Sequence, residues 1–543
     1  MTDAADSILV GKAGGEDVRL LLERANRHGF VAGATGTGKT VTLQVLAQAF
    51  SDAGVPVFAA DVKGDLAGIA AAAVPNERLL NRASALGLTL QPQAAPTIFW
   101  DLFGRAGHPI RATVSEMGPI LLSRLLELSE AQDGVLTIAF HVADENGWLL
   151  LDLDDLSAVL TWVGQNREDI GLRYGNVAPQ TVGAIQRKIL ALRSQGAEDF
   201  FGEPALKLED LMQVSPEGKG YVSVLAADQL IQTPRAYSTF LLWLLSELFE
   251  ELPEVGDQAK PKLVFFFDEA HLLFRDAPRP LMEKVEQVVR LVRSKGVGVY
   301  FVTQNPADIP EPVMAQLGMR AQHALRAYTP QEQKGLRAAA QSFRANPAFD
   351  TAEAIQQLGV GEALVSALDA SGAPTVVART AVRPPNSRIG PLTPDERNAV
   401  MARSPVRGRY DTPVNRQSAY EVLNRRAAEA AAIAASPPAD PYAGARPPAP
   451  APQTRGSSGF PQAFPHAPST GGSPWGEAAQ RAPQPRPRAE PRPAPAPKPR
   501  AAPRGRSRES VAEAATKSFA RSAASAIGRE IMRGLFGTMR RRR

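Results

Sequence analysis

Residues Gly33 to Thr40 read Gly-Ala-Thr-Gly-Thr-Gly-Lys-Thr, the full pattern of a phosphate-binding loop, and they follow the short apolar run Phe30-Val31-Ala32. Each residue type has a task. The glycines let the backbone wrap so that several N–H groups point at phosphate oxygens. Lys39 has the reach for the β- and γ-phosphates, and Thr40 offers a hydroxyl to Mg²⁺. A helix is expected over Val41 to Phe50, and its N-terminal end adds to the anion site. Gly33, Ala34, Thr35, Gly36, Thr37, Gly38, Lys39, Thr40 and Val41 are therefore the candidate ATP-contacting residues. A glycine-rich turn without a ligand is the plainer alternative. The strand before and the helix after favour the nucleotide loop.

A second signal is Leu263-Val-Phe-Phe-Phe-Asp-Glu269, an apolar strand that delivers two acids at its C-terminal end. In this Walker B arrangement Asp268 holds Mg²⁺ through its water shell, and Glu269 polarises the water that attacks the γ-phosphate. An ordinary strand ending in surface acids is the alternative, weakened by the phosphate loop in the same chain. A third is Tyr300-Phe-Val-Thr-Gln-Asn305, where Gln304 is the preferred γ-phosphate sensor over a plain loop glutamine. Asp61-Val-Lys-Gly-Asp65 follows another apolar strand, and ligands in such sheets bind at the C-terminal strand ends. Asp61 is thus either a cleft-rim acid or part of a turn built on Gly64. Arg290, Arg293, Arg320 and Arg326 surround the sensor strand and the one after it, and any one of them could reach the γ-phosphate of a neighbouring subunit. The six histidines have no metal-ligand spacing, and no Ser-His-Asp pattern or dinucleotide fingerprint occurs.

These residues need a scaffold. The chain has 543 residues, 44% of them hydrophobic, enough for a large core and more than one domain. It has no cysteine, which removes disulfides and thiolate chemistry and agrees with a reducing cytoplasm. Its N-terminus is acidic and polar rather than a signal peptide, and the apolar run Phe240–Leu245 is too short to span a bilayer. Strands are expected over Ile8–Val10, Val18–Leu21, His28–Val31, Val55–Ala60, Tyr221–Leu225, Leu263–Phe267, Val297–Val302 and Ala324–Tyr328, with a largely apolar helix over Tyr237–Glu251. Unbroken apolar strands alternating with helices imply an α/β fold with a mainly parallel sheet covered on both faces. A helical insertion interrupts it between Ile110 and about Met212.

The charge is divided. Of 61 Lys and Arg and 56 Asp and Glu, 19 and 6 lie in residues 435–543, leaving 42 and 50 in residues 1–434. The body is therefore net −8 and the tail net +13. Residues 436–509 hold 20 of the 46 prolines among Ala, Gly, Ser and Arg, a composition that cannot bury enough apolar surface to order itself. Behind it Phe519, Ile527, Ile531 and Leu535 recur at helical spacing among basic residues, as in a basic amphipathic helix suited to nucleic acid, a protein partner or an anionic membrane surface.

Taken in order, His28-Gly-Phe-Val-Ala-Gly-Ala-Thr-Gly-Thr-Gly-Lys-Thr, Asp61-x-x-Gly-Asp, Phe267-Asp-Glu-Ala-His, Arg293-Ser-Lys-Gly-Val and Thr303-Gln-Asn-Pro resemble the HerA–FtsK superfamily of P-loop motor ATPases. Asp61-Val-Lys-Gly-Asp-Leu-Ala-Gly, Ala324-Leu-Arg-Ala-Tyr-Thr-Pro and Val360-Gly-Glu-Ala-Leu-Val-Ser are similar to the bacterial HerA-like family typified by YjgR. The resemblance spans about residues 5 to 390. It implies a RecA-like core assembled as a ring, usually a hexamer, with ATP and Mg²⁺ between subunits and DNA translocation or helicase-type activity. It raises Arg293 above the other arginines as a finger acting in trans, and Asp61 as an accessory catalytic acid. With the pattern and composition of the rest of the chain, the expected organisation is residues 1–109 and 216–390 as the two parts of the ATPase core, 110–215 as the insertion, 391–434 as a helical extension, 435–509 as a disordered Pro/Ala/Arg-rich linker and 510–543 as the basic helix. HerA relatives carry a β-barrel ahead of the motor, whereas about thirty residues precede the loop in this sequence. Three functions compete: a cytoplasmic DNA motor, an ATPase that moves or remodels a protein, and a nucleotide-gated scaffold docked through its tail.

Overall fold

The computed structural model describes residues 6–229, 234–256, 258–274 and 279–435. The expected linker after Ala435 and the terminal basic helix lie outside the described residues. The strands are β1 (Ser7–Ala13), β2 (Glu16–Leu21), β3 (Gly29–Ala32), β4 (Val57–Asp61), β5 (Thr97–Asp101), β6 (His108–Pro109), β7 (Val222–Ala226), β8 (Leu263–Phe267), β9 (Val297–Thr303), β10 (Met319–Gln322), β11 (Glu362–Ser366) and β12 (Ala378–Val382). They form one sheet in the order β2-β1-β12-β11-β10-β3-β9-β8-β4-β7-β5-β6. From β10 to β6 neighbouring strands pair in parallel, and β11, β12, β1 and β2 add an antiparallel flank. The first hairpin thus extends the main sheet itself.

Burial on both faces explains the unbroken apolar strands. In β8, Phe265 and Phe267 enter one core while Val264 and Phe266 enter the other. Helix Lys39–Asp52 covers the second face and sets Phe50 edge-on to Tyr300, ring centroids 5.7 Å apart. Helix Pro234–Glu251 covers the first face with Tyr237, Phe240, Leu241, Trp243, Leu244, Leu245 and Leu248 all buried.

Between β6 and β7 the chain is mainly helical: Val114–Leu125, Glu130–Asn146, Leu153–Gln165, Arg167–Tyr174, Pro179–Ser194 and the short Leu208–Leu211. Three of these begin with capping boxes, on Thr113, Ser129 and Asp152, which satisfy the first backbone donors of each helix. The segment after the core returns to fasten this insertion. Tyr410 donates its hydroxyl to Asp210 at 2.6 Å and stands edge-on to Trp100, and the Tyr420 N–H at the start of helix Ala419–Ala435 donates to Asp155 at 2.8 Å.

The sequence expectation fails in one strand. Ala324–Tyr328 is not extended in the sheet; β10 is Met319–Gln322, five residues earlier. After His323 the chain crosses over the phosphate loop, with Ala34 N–H donating to the Ala324 carbonyl at 2.9 Å. Leu325 and Ala327 pack against a small separate core, and Tyr328 is exposed, so this apolar run serves a loop. Strands β5, β6, β11 and β12 are additions to the expected set.

Candidate functional site

The phosphate loop joins β3 to helix Lys39–Asp52 at the C-terminal edge of the parallel strands. Gly33 and Gly38 have φ of 153° and 116°, outside the range that side chains favour. A Cβ on Gly33 would lie 2.5 Å from the His323 Cβ, and one on Gly38 3.3 Å from the Gly361 nitrogen. The loop therefore rests on two supports. One is His323, buried and sharing a 2.9 Å hydrogen bond between its Nε2 and the Thr42 hydroxyl, with burial lowering its pKa to about 4. The other is Gly361, whose N–H donates to the Thr37 carbonyl at 3.0 Å. Arg82 locks that support by donating to the Gly361 carbonyl at 2.5 Å and to the Val382 carbonyl at 3.0 Å. Thr35 and Gly36 are exposed at the tip, Thr40 is half-buried at the helix start, and Val41 packs against the core behind it.

Lys39 Nζ donates to the Gly33 and Ala34 carbonyls at 2.7 and 3.1 Å, which curls its ammonium over the mouth of the loop. Burial lowers its pKa, and the neighbouring Lys63 charge lowers it further. A lysine whose charged form is disfavoured in this way gains from negative charge placed beside it.

The strand order β3-β9-β8-β4 places the sensor strand between the phosphate-loop strand and the strand ending in Asp268. Glu269 follows with φ of 49°, uncommon for a non-glycine residue, and is buried. This turn aims its carboxylate back across the strand ends. Gln304 Nε2 donates to its Oε1 and Oε2 at 3.2 and 3.3 Å, Lys63 Nζ is 3.2 Å from Oε1, and His271 Nδ1 is 3.4 Å from Oε2. The bond with His271, aided by the charge of Lys63 and the Gln304 amide, holds the Glu269 pKa down at about 2. Gln304 also accepts from the Thr35 hydroxyl at 3.4 Å, so one amide spans the loop tip and the acid. Thr303, by contrast, spends its hydroxyl on Asp308 at 3.0 Å.

Asp268 has the opposite environment. Burial, and then the charge of Glu269, push its carboxyl up to about 7. Its Oδ1 accepts the Glu269 N–H at 2.9 Å, and the Tyr237 hydroxyl donates to its backbone carbonyl at 2.7 Å. A buried acid raised by like charge gains from a cation beside it. Asp268 and the Thr40 hydroxyl therefore fit the chemistry of a Mg²⁺ site.

Asp61 has a structural task. Its Oδ2 accepts the N–H groups of Leu66 and Ala67, both at 3.1 Å, while burial raises its pKa to about 6. Gly64 turns with φ of 76° in the same loop, so the rim-acid and turn features coexist. The residue of this loop that touches Glu269 is Lys63. Sequence reasoning passed over Lys63 and His271, although both lie inside the motifs that singled out Asp61 and Glu269.

The arginines separate by sheet edge. Arg293 lies in the short turn Arg293–Lys295 before β9, on the edge opposite the phosphate loop; six residue steps of β9, about 20 Å, lie between the two edges. Arg290 is exposed on the preceding helix Arg279–Val292. Arg320 donates to the backbone carbonyls of Ser342 and Met314, so its guanidinium is occupied in cis. Arg326 is exposed after β10 on the phosphate-loop side.

A mostly parallel sheet carrying a phosphate loop, a strand-end acid pair and a bridging glutamine defines the P-loop ATPase class of RecA-like fold. The chain belongs to the helicase HerA-like C-terminal family, whose profile matches residues 7–469 and 475–543. Among solved structures, VirB4 of Thermoanaerobacter pseudethanolicus is similar with a TM-score of 0.47 and 15% identity, over 73% of this chain and 99% of that one. The plasmid coupling protein TrwB in complex with a non-hydrolysable ATP analogue has a TM-score of 0.46 and 16% identity, over 72% and 92%. TrwB in complex with ADP and Mg²⁺ has a TM-score of 0.42 and 16% identity, over 77% and 92%. No curated protein sequence matches the chain. No helix among the described residues is long and apolar enough to cross a membrane.

Proposed function

We propose that this chain hydrolyses ATP with Mg²⁺ and uses the energy to move along DNA as a ring of identical subunits in the cytoplasm. The observation that carries the reading is the buried Glu269 carboxylate, held at the strand ends by Gln304, which also meets the phosphate loop at Thr35. Lys39 and the loop amides hold the β- and γ-phosphates, Thr40 and Asp268 hold the cation, and Glu269 takes the proton of the attacking water. Mg²⁺, when bound, supplies charge neutralisation to the phosphate oxygens. Gln304 senses the terminal phosphate from its place between the loop and Glu269. Asp61 fixes the rim loop, and its role as an accessory acid belongs to this same reading.

The opposite sheet edge supports a head-to-tail ring. Arg293 stands there with Arg27 and Lys295, while Asp61, Asp65, Asp268 and Glu269 stand at the edge that binds nucleotide. Arg293 cannot reach its own loop across that span, but it can reach a neighbour's in a heterologous contact, of which a hexameric ring is the closed form. The core then comprises residues 1–109 and 216–390, with 110–215 inserted and 391–434 as a helical brace. The segment 435–543, net +13, supplies basic charge for nucleic acid, a protein partner or an anionic membrane surface.

A specific observation favours a second reading, a protein substrate: residues 1–434 carry net −8, whereas DNA binding draws heavily on neutralising phosphates. A scaffold without turnover leaves the buried, ionised Glu269 unexplained. The test is the ATPase rate of the full chain with and without duplex DNA at low salt, alongside native mass. Turnover that rises with DNA and falls about 10²–10⁴-fold in Glu269→Gln is expected. Turnover indifferent to single- and double-stranded DNA refutes the DNA motor, and no turnover refutes the ATPase.

A further inference from the structure

Both oxygens of Glu269 are already engaged. Oε1 faces Lys63 and Gln304, each at 3.2 Å, and Oε2 faces Gln304 at 3.3 Å and His271 at 3.4 Å. A carboxylate offers about four lone-pair sites. Three side chains crowd the two oxygens, so the water that a general base must receive at hydrogen-bond distance has to take the place of one of them. One partner therefore has to depart before Glu269 can act.

The three partners differ in freedom. Gln304 is tethered at its other end to Thr35 of the phosphate loop. His271 opens the helix His271–Phe274, two residues from Glu269. Lys63 stands on the rim loop after β4 with its side chain 42% exposed, on a flexible four-carbon stem. Its backbone is anchored: Asp61 holds the next turn through Leu66 and Ala67. The root of the side chain is thus fixed and its ammonium is free to swing.

We propose that Lys63 contacts the terminal phosphate of bound ATP, leaving Glu269 for it and thereby freeing the carboxylate to take the attacking water. This rests on the ATP-hydrolysing reading above. The reach is sufficient. Base to water is about 2.8 Å and water to phosphorus about 3–3.5 Å, so phosphate oxygens come within roughly 6 Å of the carboxylate that Lys63 now touches. The exchange is favourable because a terminal phosphate carries more negative charge than one carboxylate and accepts from an ammonium in any orientation. Lys63 also bears on the charge of Lys39, so the two ammoniums share one field at the mouth of the loop. ADP lacks the group that draws Lys63 away, so with ADP bound Glu269 stays covered. The pair thereby couples the uncovering of Glu269 to the arrival of the terminal phosphate.

The test compares binding of a non-hydrolysable ATP analogue and of ADP to the full chain, with single-turnover hydrolysis, for wild type, Lys63→Gln, Lys63→Ala and Lys63→Arg. Both neutral variants should lose about tenfold in affinity for the analogue, the worth of one charge-assisted hydrogen bond, and less than twofold for ADP. Their hydrolysis should slow by about 10–100-fold, and Lys63→Arg should recover most of both losses. Equal losses for the two nucleotides, or no loss for either, overturn the proposal. Faster hydrolysis with unchanged analogue affinity also overturns it, since Lys63 would then be a clamp alone. A wild type that binds the analogue and hydrolyses ATP while the variants behave identically sinks Lys63 and leaves the ATPase reading standing; a wild type inert toward ATP sinks both.

Discussion

His28, one residue ahead of β3, should make the fold acid-sensitive by a calculable amount. It is buried, with φ of 62°. The Val299 N–H donates to its Nδ1 at 3.0 Å, so the ring proton sits on Nε2 and is donated to the Val289 carbonyl at 2.7 Å. The ring thus joins the phosphate-loop strand to the sensor strand and to helix Arg279–Val292. A second proton on Nδ1 breaks the bond to Val299 and charges a buried ring near Arg293 and Arg27. Burial foremost, with those arginines, lowers the pKa from 6.5 to about 4. The folded state then binds fewer protons than the unfolded one between those values, so stability is complete above pH 6.5 and falls as pH drops toward 4. The drop corresponds to about 3 kcal/mol once complete, and to about 2–3 kcal/mol at pH 4.5. His28→Asn removes the titration and tolerates the left-handed backbone. Asp61 and Asp268, raised to about 6 and 7, gain stability over an overlapping range as pH falls, and His323, lowered to about 4, behaves like His28. These groups are common to both proteins, so the difference between wild type and variant isolates the ring. Thermal melts at pH 7.5 and 4.5 should show the wild-type advantage shrinking by about 3 °C for a cooperative unit of about 400 residues. An advantage that is constant within 1 °C, or that grows in acid, refutes the argument.

Two further outcomes follow from the site. Arg293→Ala and Glu269→Gln should each be nearly inactive alone, yet a one-to-one mixture should regain up to about a quarter of wild-type turnover, because about a quarter of ring interfaces then combine an intact Glu269 with an intact Arg293. No recovery in a mixture shown by native mass to co-assemble refutes the trans role. Gly38→Ala should cost about 1–3 kcal/mol through its φ of 116° and its approach to Gly361, and should weaken ATP and ADP binding alike, as isothermal titration would read.

The parts of the site that were legible in the sequence are those where local chain geometry and chemistry coincide. The glycines, Lys39 and Thr40 lie in one continuous turn, and Asp268 and Glu269 follow an apolar run whose length fixes where the strand ends. What was hidden depends on the sheet order. Lys63 meets Glu269 because β4 neighbours β8, two strands more than two hundred residues apart in sequence. His323 and Gly361 support the phosphate loop because β10 lies beside β3 and β11 beside β10, and both strands are short and mixed in polarity. β10 is Met-Arg-Ala-Gln, with neither alternation nor an apolar run, so the more apolar segment after it drew the strand assignment instead. Its extension is imposed by pairing with β3 on one side and β11 on the other.

The adjacent acids Asp268 and Glu269 show how that hidden sheet order divides chemical labour. They are neighbours in sequence, yet one is pushed up to about 7 and the other held at about 2. The positive φ of Glu269 is the cause: it turns the second carboxylate out of the strand line toward Lys63, His271 and Gln304, while the first stays under Tyr237 and helix Pro234–Glu251. Separated titrations of this kind assign roles. Asp268 is the acid that gains more from a cation, which suits it to the proposed Mg²⁺ site. Glu269 is ionised without one, so what it lacks is room for the water rather than charge. Under the proposal for Lys63, control of turnover lies with the groups that cover Glu269, and one of them, the exposed Lys63, comes from the loop after β4, on the far side of β8 from β9.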